Sequence, residues 1–397
     1  MDIQIRTITE DEFDDWSCAE ARGFSTHATN EYVHIARTLA ELDRTFGAFD
    51  GNQIVGTTTT RTSRVTVPGG TVPLGFVDDV SVFATHRRRG ILTQMMRAQL
   101  DQMRERGEPL AALTASESMI YGRFGFGVAT WADRWSIDRR HTTMKLPANA
   151  GGQVTFLDPQ QARLEWPTLH KRVRQDRVGM VHYSAEYWRV ALWDSDWQRR
   201  GASEFFHVGY LRDGHVKGLC TYRIRDHEVL VVFLLGEDAE VEAELWQYCF
   251  GIDLMSQIHG FALPLDDPLP WRLEDMRKLR RNRIDHLWLR LVDVKAALTA
   301  RQYDTEGTIT FSVSDGFCPW NDGVYTLEVA QSGAFCAHSD KAPDLRLTAA
   351  DLAAVYLGGT SFSTLAEAGC VSASDKSVIT QADRMFRTER APRFMEL

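Results

Sequence analysis

The residue pattern predicts an α+β protein of two or three domains built on mixed sheets, and three observations predict it. The chain has 397 residues, more than one ordinary core accommodates. Its first part alternates strand-like and helix-like apolar spacing in the order strand, two helices, three antiparallel strands, helix, strand, helix, strand. A strand, hairpin and helix order then recurs in the middle of the chain, as an echo of layout without a residue repeat.

Ile3 and Ile5 open a strand, and helical spacing follows from Glu10 to Ala21 and from Glu31 to Leu42. Three strands are expected over Thr45 to Phe49, Ile54 to Val67 and Thr71 to Phe83, with hairpin turns at Asp50-Gly51-Asn52 and Pro68-Gly69-Gly70. A helix from Ile91 to Arg106 carries Leu92, Met95, Met96, Leu100 and Met103 on one face and stops at Gly107. A buried strand, Leu110 to Leu113, and a helical stretch over Ser118 to Tyr121 come next. The pattern loosens at 147–152, which reads as a linker. Beyond it, helices are expected at Leu157 to Arg174, Tyr187 to Ala191 and Ala239 to Ile258. Strands lie between them at Phe205 to Leu211, Gly218 to Arg225 and Glu228 to Leu235. The last part offers a helix Val294 to Ala300, strands Thr308 to Val313, Gly323 to Glu328 and Ala334 to His338, and a helix capped by Thr348 that ends at Leu357-Gly358-Gly359.

Composition narrows the function. A hydrophobic share of 44% and a charged share of 25% are those of a soluble globular protein. A formal net charge of −9 argues against nucleic acid as a partner, because such binding draws on surplus basic groups. The six cysteines are widely spaced, with no neighbouring His at ligand spacing, so no metal site and no disulfide framework is expected; free thiols suit a cytoplasmic protein. No apolar run is long enough for a membrane span.

One segment carries chemistry by itself. Gly75 to Phe83 reads as a strand that runs through Ala84-Thr85-His86 into Arg87-Arg88-Arg89-Gly90-Ile91-Leu92, a basic loop opening a helix. The unpaired N–H groups of a helix start converge on one point and carry partial positive charge, so a pyrophosphate fits there. Gly90 permits close backbone approach, and Arg87, Arg88 and Arg89 add charge. Val80, Ser81 and Val82 offer main-chain groups to an extended, amide-containing arm, as in strand addition. The alternative is three solvated arginines at an ordinary helix start.

A second segment, Ala115-Ser116-Glu117-Ser118-Met119-Ile120-Tyr121-Gly122-Arg123-Phe124-Gly125-Phe126-Gly127, follows the short strand. That strand is expected to splay from the loop strand and open a slot. Its interleaved glycines allow close approach of a ligand or another strand. Tyr121 can donate a proton to a departing thiolate, or simply pack with its hydroxyl satisfied.

The valine-bearing strand followed by R-x-x-G resembles motif A of the GNAT superfamily of N-acetyltransferases, with Leu92 where that family often has a small residue. Taken with the Tyr121 segment, with Leu289 to Val294 and with Phe386 to Pro392, the whole chain resembles the Eis (enhanced intracellular survival) family. The resemblance implies a GNAT domain over 1–145, a GNAT-like central domain without its own cofactor site over 146–288, and a sterol-carrier-like domain over 289–397. It implies acetyl-CoA contacts at Val80, Ser81, Val82, at Arg88 to Thr93, and at Ser116 and Glu117. It also implies Tyr121 as general acid, the terminal carboxylate of Leu397 as general base, and a hexamer.

The expected reaction is acetyl transfer to an amino group of a cationic multi-amine small molecule, such as an aminoglycoside, directly within a ternary complex. Trp16, Phe24, Glu31, Phe83 and Glu396 are candidates for the acceptor pocket, each with ordinary core or surface residence as its alternative. The competing readings are a lysine or protein N-acyltransferase, and a lipid-binding protein with a vestigial transferase domain.

Overall fold

The structure, a computed structural model, describes residues 3–397. Two compact units divide at Ala129/Thr130 and at His286/Leu287. The first runs to Ala129 and resumes over Leu287–Glu389; the second is Thr130–His286 with Arg390–Leu397.

In the first unit the expected meander forms as a seven-stranded mixed sheet. Its spatial order is Gln4–Thr7, Thr45–Asp50, Gln53–Val67, Gly70–Val82, Leu110–Thr114, Leu287–Leu291, Gly127–Val128. Gly51 and Gly69 take left-handed backbone at the two hairpin turns, which closes both without a Cβ penalty. Helix Phe13–Gly23 starts later than its periodicity suggests, because Glu10–Glu12 forms a tighter 3-10 turn ahead of it. Helix Ile91–Glu105 buries Met95, Met96, Leu100 and Met103 as its stripe predicts. It also buries Gln99, whose amide donates to the Thr59 carbonyl at 2.9 Å and the Thr60 hydroxyl at 2.7 Å. A separate five-stranded sheet orders Gly333–His338, Gly323–Ala330, Gly307–Ser314, Leu345–Thr348 and Ser372–Ala373. Helices Ala349–Tyr356, Phe362–Glu367 and Lys376–Phe386 accompany it. Thr348 caps the first of these by accepting from the Asp351 amide at 3.2 Å.

The second unit repeats the first sheet's order. From edge to edge it runs Gln153–Leu157, Phe206–Arg212, His215–Arg225, Glu228–Gly236, Gln257–Pro264, Trp131–Asp138, Arg280–Asp285. In each sheet the sixth place is filled by a strand out of sequence order: Leu287–Leu291 in the first and Trp131–Asp138 in the second. The compact units do not coincide with the expected boundaries at 145/146 and 288/289. Residues 130–145 carry a strand whose pairing partners, Gln257–Pro264 and Arg280–Asp285, lie in the second unit. The last eight residues leave the sterol-carrier-like part for the second unit. The helix expected to reach Ile258 stops at Gly251; Leu254 takes a left-handed φ of 63° and Ile258 lies in a strand. Helix Pro159–Asp176 starts after Leu157, where Asp158 and Gln161 form a reciprocal cap ahead of Pro159.

Candidate active site

Parallel pairing between Gly70–Val82 and Leu110–Thr114 covers only Leu74, Gly75 and Phe76 opposite Leu110, Ala111 and Ala112. Both strands continue past it, one held by Gln53–Val67 and the other by Leu287–Leu291. From Val77 to Val82 the loop strand therefore presents its edge to an opening. The expected splay is present.

The same strand carries a bulge. Its register with Gln53–Val67 slips between Thr57 and Thr59, and Asp79 takes a left-handed φ of 55°. Threonines brace the distortion. Thr57 Oγ1 donates to the Asp79 carbonyl at 2.9 Å and lies 2.8 Å from Ser81 Oγ. A bulge of this kind re-aims backbone groups of the strand that carries it. Gly23, at the end of the first helix, lies so close that a Cβ there would stand 2.1 Å from Ser81 Oγ.

At the strand's end the basic loop is exposed. Arg88 and Gly90 take left-handed φ values of 62° and 77°, Arg87, Arg89 and Thr93 face solvent, and Gly90 caps helix Ile91–Glu105 without any side-chain acceptor. The helix's first N–H groups are thus left for an outside acceptor. A Cβ at Gly90 would meet nothing within 4 Å, so the glycine serves conformation and the space before it. Ile91 is buried and Leu92 packs inward against the core, so the bulk of Leu92 does not obstruct the amides. These residues fit a phosphate-bearing ligand.

Tyr121 ends the short helix Ser118–Tyr121 and is 5% exposed, edge-on to Phe126 at 6.2 Å between ring centroids. Burial, then the nearby Asp78 carboxylate, pushes its phenol up to about 12, so it holds its proton at neutral pH. A buried tyrosine hydroxyl normally finds a partner. The Tyr121 hydroxyl makes no hydrogen bond among the described residues, while its backbone carbonyl accepts from the Phe126 amide at 3.3 Å. Ser116 and Glu117 are exposed on the turn before it. The glycines that follow answer to packing instead: a Cβ on Gly125 would lie 1.4 Å from Arg290 Nη1, and one on Gly127 would lie 1.9 Å from the Ala350 carbonyl.

The structure adds a group that sequence reading missed. Tyr32 Oη donates to Glu20 Oε2 at 2.5 Å; Arg61 pairs with Asp78 at 2.7 Å and reaches Asp79 at 3.6 Å. Burial raises Glu20 above the ordinary carboxylate range. Burial and the adjacent Asp78 push Asp79 up to about 8. One guanidinium therefore faces three carboxyls from the first helix and the bulge. The available signal was the pair Asp78-Asp79 inside an otherwise apolar strand.

The acceptor candidates scatter. Trp16 is core, 3% exposed, its indole N–H donated to the Phe46 carbonyl at 2.8 Å; Phe83 is buried in the same cluster. Phe24 is half exposed and Glu31 lies on the exposed first turn of helix Asn30–Leu39. Glu396 and Leu397 belong to the second unit, where Glu396 lies 3.4 Å from His286. Among the described residues no group of His, Cys, Asp and Glu is arranged to hold a metal ion, and no helix is long and apolar enough to cross a membrane.

Comparison with known proteins extends these observations. Models of the GNAT acetyltransferase domain match residues 4–129 and, in a second form, 179–295; a sterol carrier protein domain matches 294–395. An uncharacterized N-acetyltransferase of Streptomyces avermitilis is 37% identical over 403 residues, spanning 99% of this chain and 98% of its own. The N-acetyltransferase Eis of Mycobacterium tuberculosis is 32% identical over 406 residues and 98% of each chain. The crystal structure of Eis1 from Mycobacterium abscessus superposes with a TM-score of 0.87 at 30% identity over 99% of both chains. With two GNAT domains, a sterol-carrier-like domain and this full-length likeness, the chain is an acyltransferase that belongs to the Eis family of GNAT N-acetyltransferases.

Proposed function

We propose that this enzyme transfers acetyl from acetyl-CoA directly to an amino group of a cationic, multi-amine small molecule of the aminoglycoside kind, within a ternary complex. The observation that carries the reading is the juxtaposition, in one unit, of the basic helix mouth at Gly90, the open strand edge Val77 to Val82 and the carboxyl group of Glu20, Asp78 and Asp79. The first two suit a diphosphate and its amide arm; the third offers carboxyl oxygens that can accept hydrogen bonds from an amino group.

Acetyl-CoA supplies the acetyl group as a thioester. Arg87, Arg88, Arg89, Gly90, Ile91, Leu92 and Thr93 would hold its phosphates, Val80, Ser81 and Val82 its arm, with Ser116 and Glu117 beside it. Main-chain N–H groups at the bulge polarise the reacting carbonyl. The acceptor arrives protonated and must lose a proton before it can attack; the Leu397 carboxylate, by likeness to the Eis family, takes it. Tyr121 gives its proton to the sulfur. No cysteine nucleophile is used. We place the enzyme in the cytoplasm, as a hexamer, on the same likeness and on its free thiols.

Thiol release from acetyl-CoA with a panel of polyamines, aminoglycosides and lysine peptides tests this. Turnover with the multi-amines is expected, and Tyr121→Phe should cut it at least tenfold while acetyl-CoA affinity holds. Silence across the small-molecule panel beside turnover of lysine peptides would overturn the acceptor class.

A further inference from the structure

In the second unit the strands Glu228–Gly236 and Gln257–Pro264 pair in parallel from Glu228/Gln257 to Val231/Gly260, then part. This is the counterpart of the opening in the first sheet, and the chain's own end fills it. Arg393 lies within the opening. Its amide donates to the Val178 carbonyl at 2.8 Å, Nη2 to the Leu234 carbonyl at 2.9 Å, and Nη1 to Glu242 at 2.7 Å. Both charged side chains are about nine-tenths buried. Backbone comes so close that a Cβ on Gly179 would stand 2.9 Å from the Arg393 carbonyl. Tyr183 Oη donates to the Met395 carbonyl at 2.7 Å, and Phe394 and Met395 are buried. Glu396 meets His286, and Leu397 lines a cavity of about 320 Å³ with Met395, Phe233 and Phe261.

A chain end is normally frayed. This one is tied at Arg393, Met395 and Glu396. A buried ion pair is a poor source of net stability and a good source of fixed geometry, because its charges tolerate few arrangements. We infer that Arg393, with Glu242 as its counter-ion and Tyr183 as a second tie, is a positioning residue: it converts the second unit's cofactor-like opening into a mount that sets where the Leu397 carboxylate stands. The inference rests on the reading of that carboxylate as the base.

The test compares full-length variants by steady-state kinetics. Tyr183→Phe removes one hydroxyl and should leave the fold intact by circular dichroism. It should lower kcat about fivefold, with the KM for acetyl-CoA within a factor of two. Arg393→Met should lower kcat at least twentyfold with that KM preserved, and Arg393→Lys, which keeps the charge, should recover part of the loss. A chain extended by one glycine after Leu397 separates the two claims. If extension abolishes turnover while a folded Tyr183→Phe and Arg393→Met both keep wild-type kcat, the mount is wrong and the base reading stands. If the extended chain is fully active, the base reading fails and the mount loses its purpose with it.

Discussion

Asp79 sits where backbone and charge coincide: at the bulge, with Asp78 beside it and Arg61 at 3.6 Å. Its carboxyl titrates near 8 in the fold against an ordinary 3.8. Between those values the folded chain holds a proton that the unfolded chain has released. The unfolded state then binds fewer protons, so this group's contribution to stability is full below about pH 4 and is lost as pH rises toward 8. Asp79→Asn removes that slope. Chemical denaturation should find the variant and the parent alike near pH 3.5, with the variant ahead by roughly 1–2 kcal/mol at pH 8.5, allowing for solvent screening of a half-buried group. Parallel curves at both values would show that Asp79 is ionised throughout. The sequence exposed Tyr121 at this scale because its glycine- and aromatic-rich surroundings are contiguous. It hid Glu20 and Tyr32, which meet Asp79 only after two helices fold back over the sheet.

At the scale of elements, two glycines with the same backbone hand do different work. Gly90 (φ 77°) opens the helix Ile91–Glu105 onto empty space, whereas Gly125 (φ 82°) turns beneath Arg290, itself fully buried and paired with Asp315 at 2.5 Å. Alanine at either must accept a left-handed backbone, costing about 1–2 kcal/mol. Gly125→Ala adds a collision with a buried guanidinium that has nowhere to go, worth roughly 1–3 kcal/mol more. Gly90→Ala instead sets a methyl where a diphosphate oxygen would rest. The expected outcome is a crossed pattern: Gly90→Ala weakens acetyl-CoA binding at least tenfold in calorimetry with a small loss of melting temperature, and Gly125→Ala melts several degrees lower with cofactor affinity retained in what folds. The basic helix mouth is legible in sequence because strand, arginines, glycine and helix are consecutive. The docking role of Gly125 was not, since its partner lies on a strand beyond the entire central region.

At the scale of the molecule the two sheets exchange a strand each, and this decides how the chain can be divided. Read by local neighbourhood, Trp131–Asp138 falls inside the expected first domain, and the expected boundary at 288/289 cuts through Leu287–Leu291. Pairing, which sequence distance does not report, sends them to the opposite sheets. A fragment ending at the loosened stretch near 145 would lack Leu287–Leu291. Its strand Leu110–Thr114 would lose the antiparallel partner from Leu287↔Thr114 to Leu291↔Leu110, and Gly127–Val128 would lose its ladder with the same strand. All five residues of the missing strand are buried in the intact protein, so the wound would be an apolar open edge, the kind that recruits other strands. The same fragment would carry Trp131–Asp138, with buried Trp135 and Ile137, and no sheet to receive them. Residues 1–145 expressed alone should therefore aggregate and show no acetyl-CoA-dependent rise in melting temperature, although every residue assigned to the phosphate loop is present. Co-expression with residues 146–397, which return Leu287–Leu291, should rescue solubility and cofactor binding together. A monodisperse, cofactor-binding 1–145 would mean that the first sheet closes without its sixth strand.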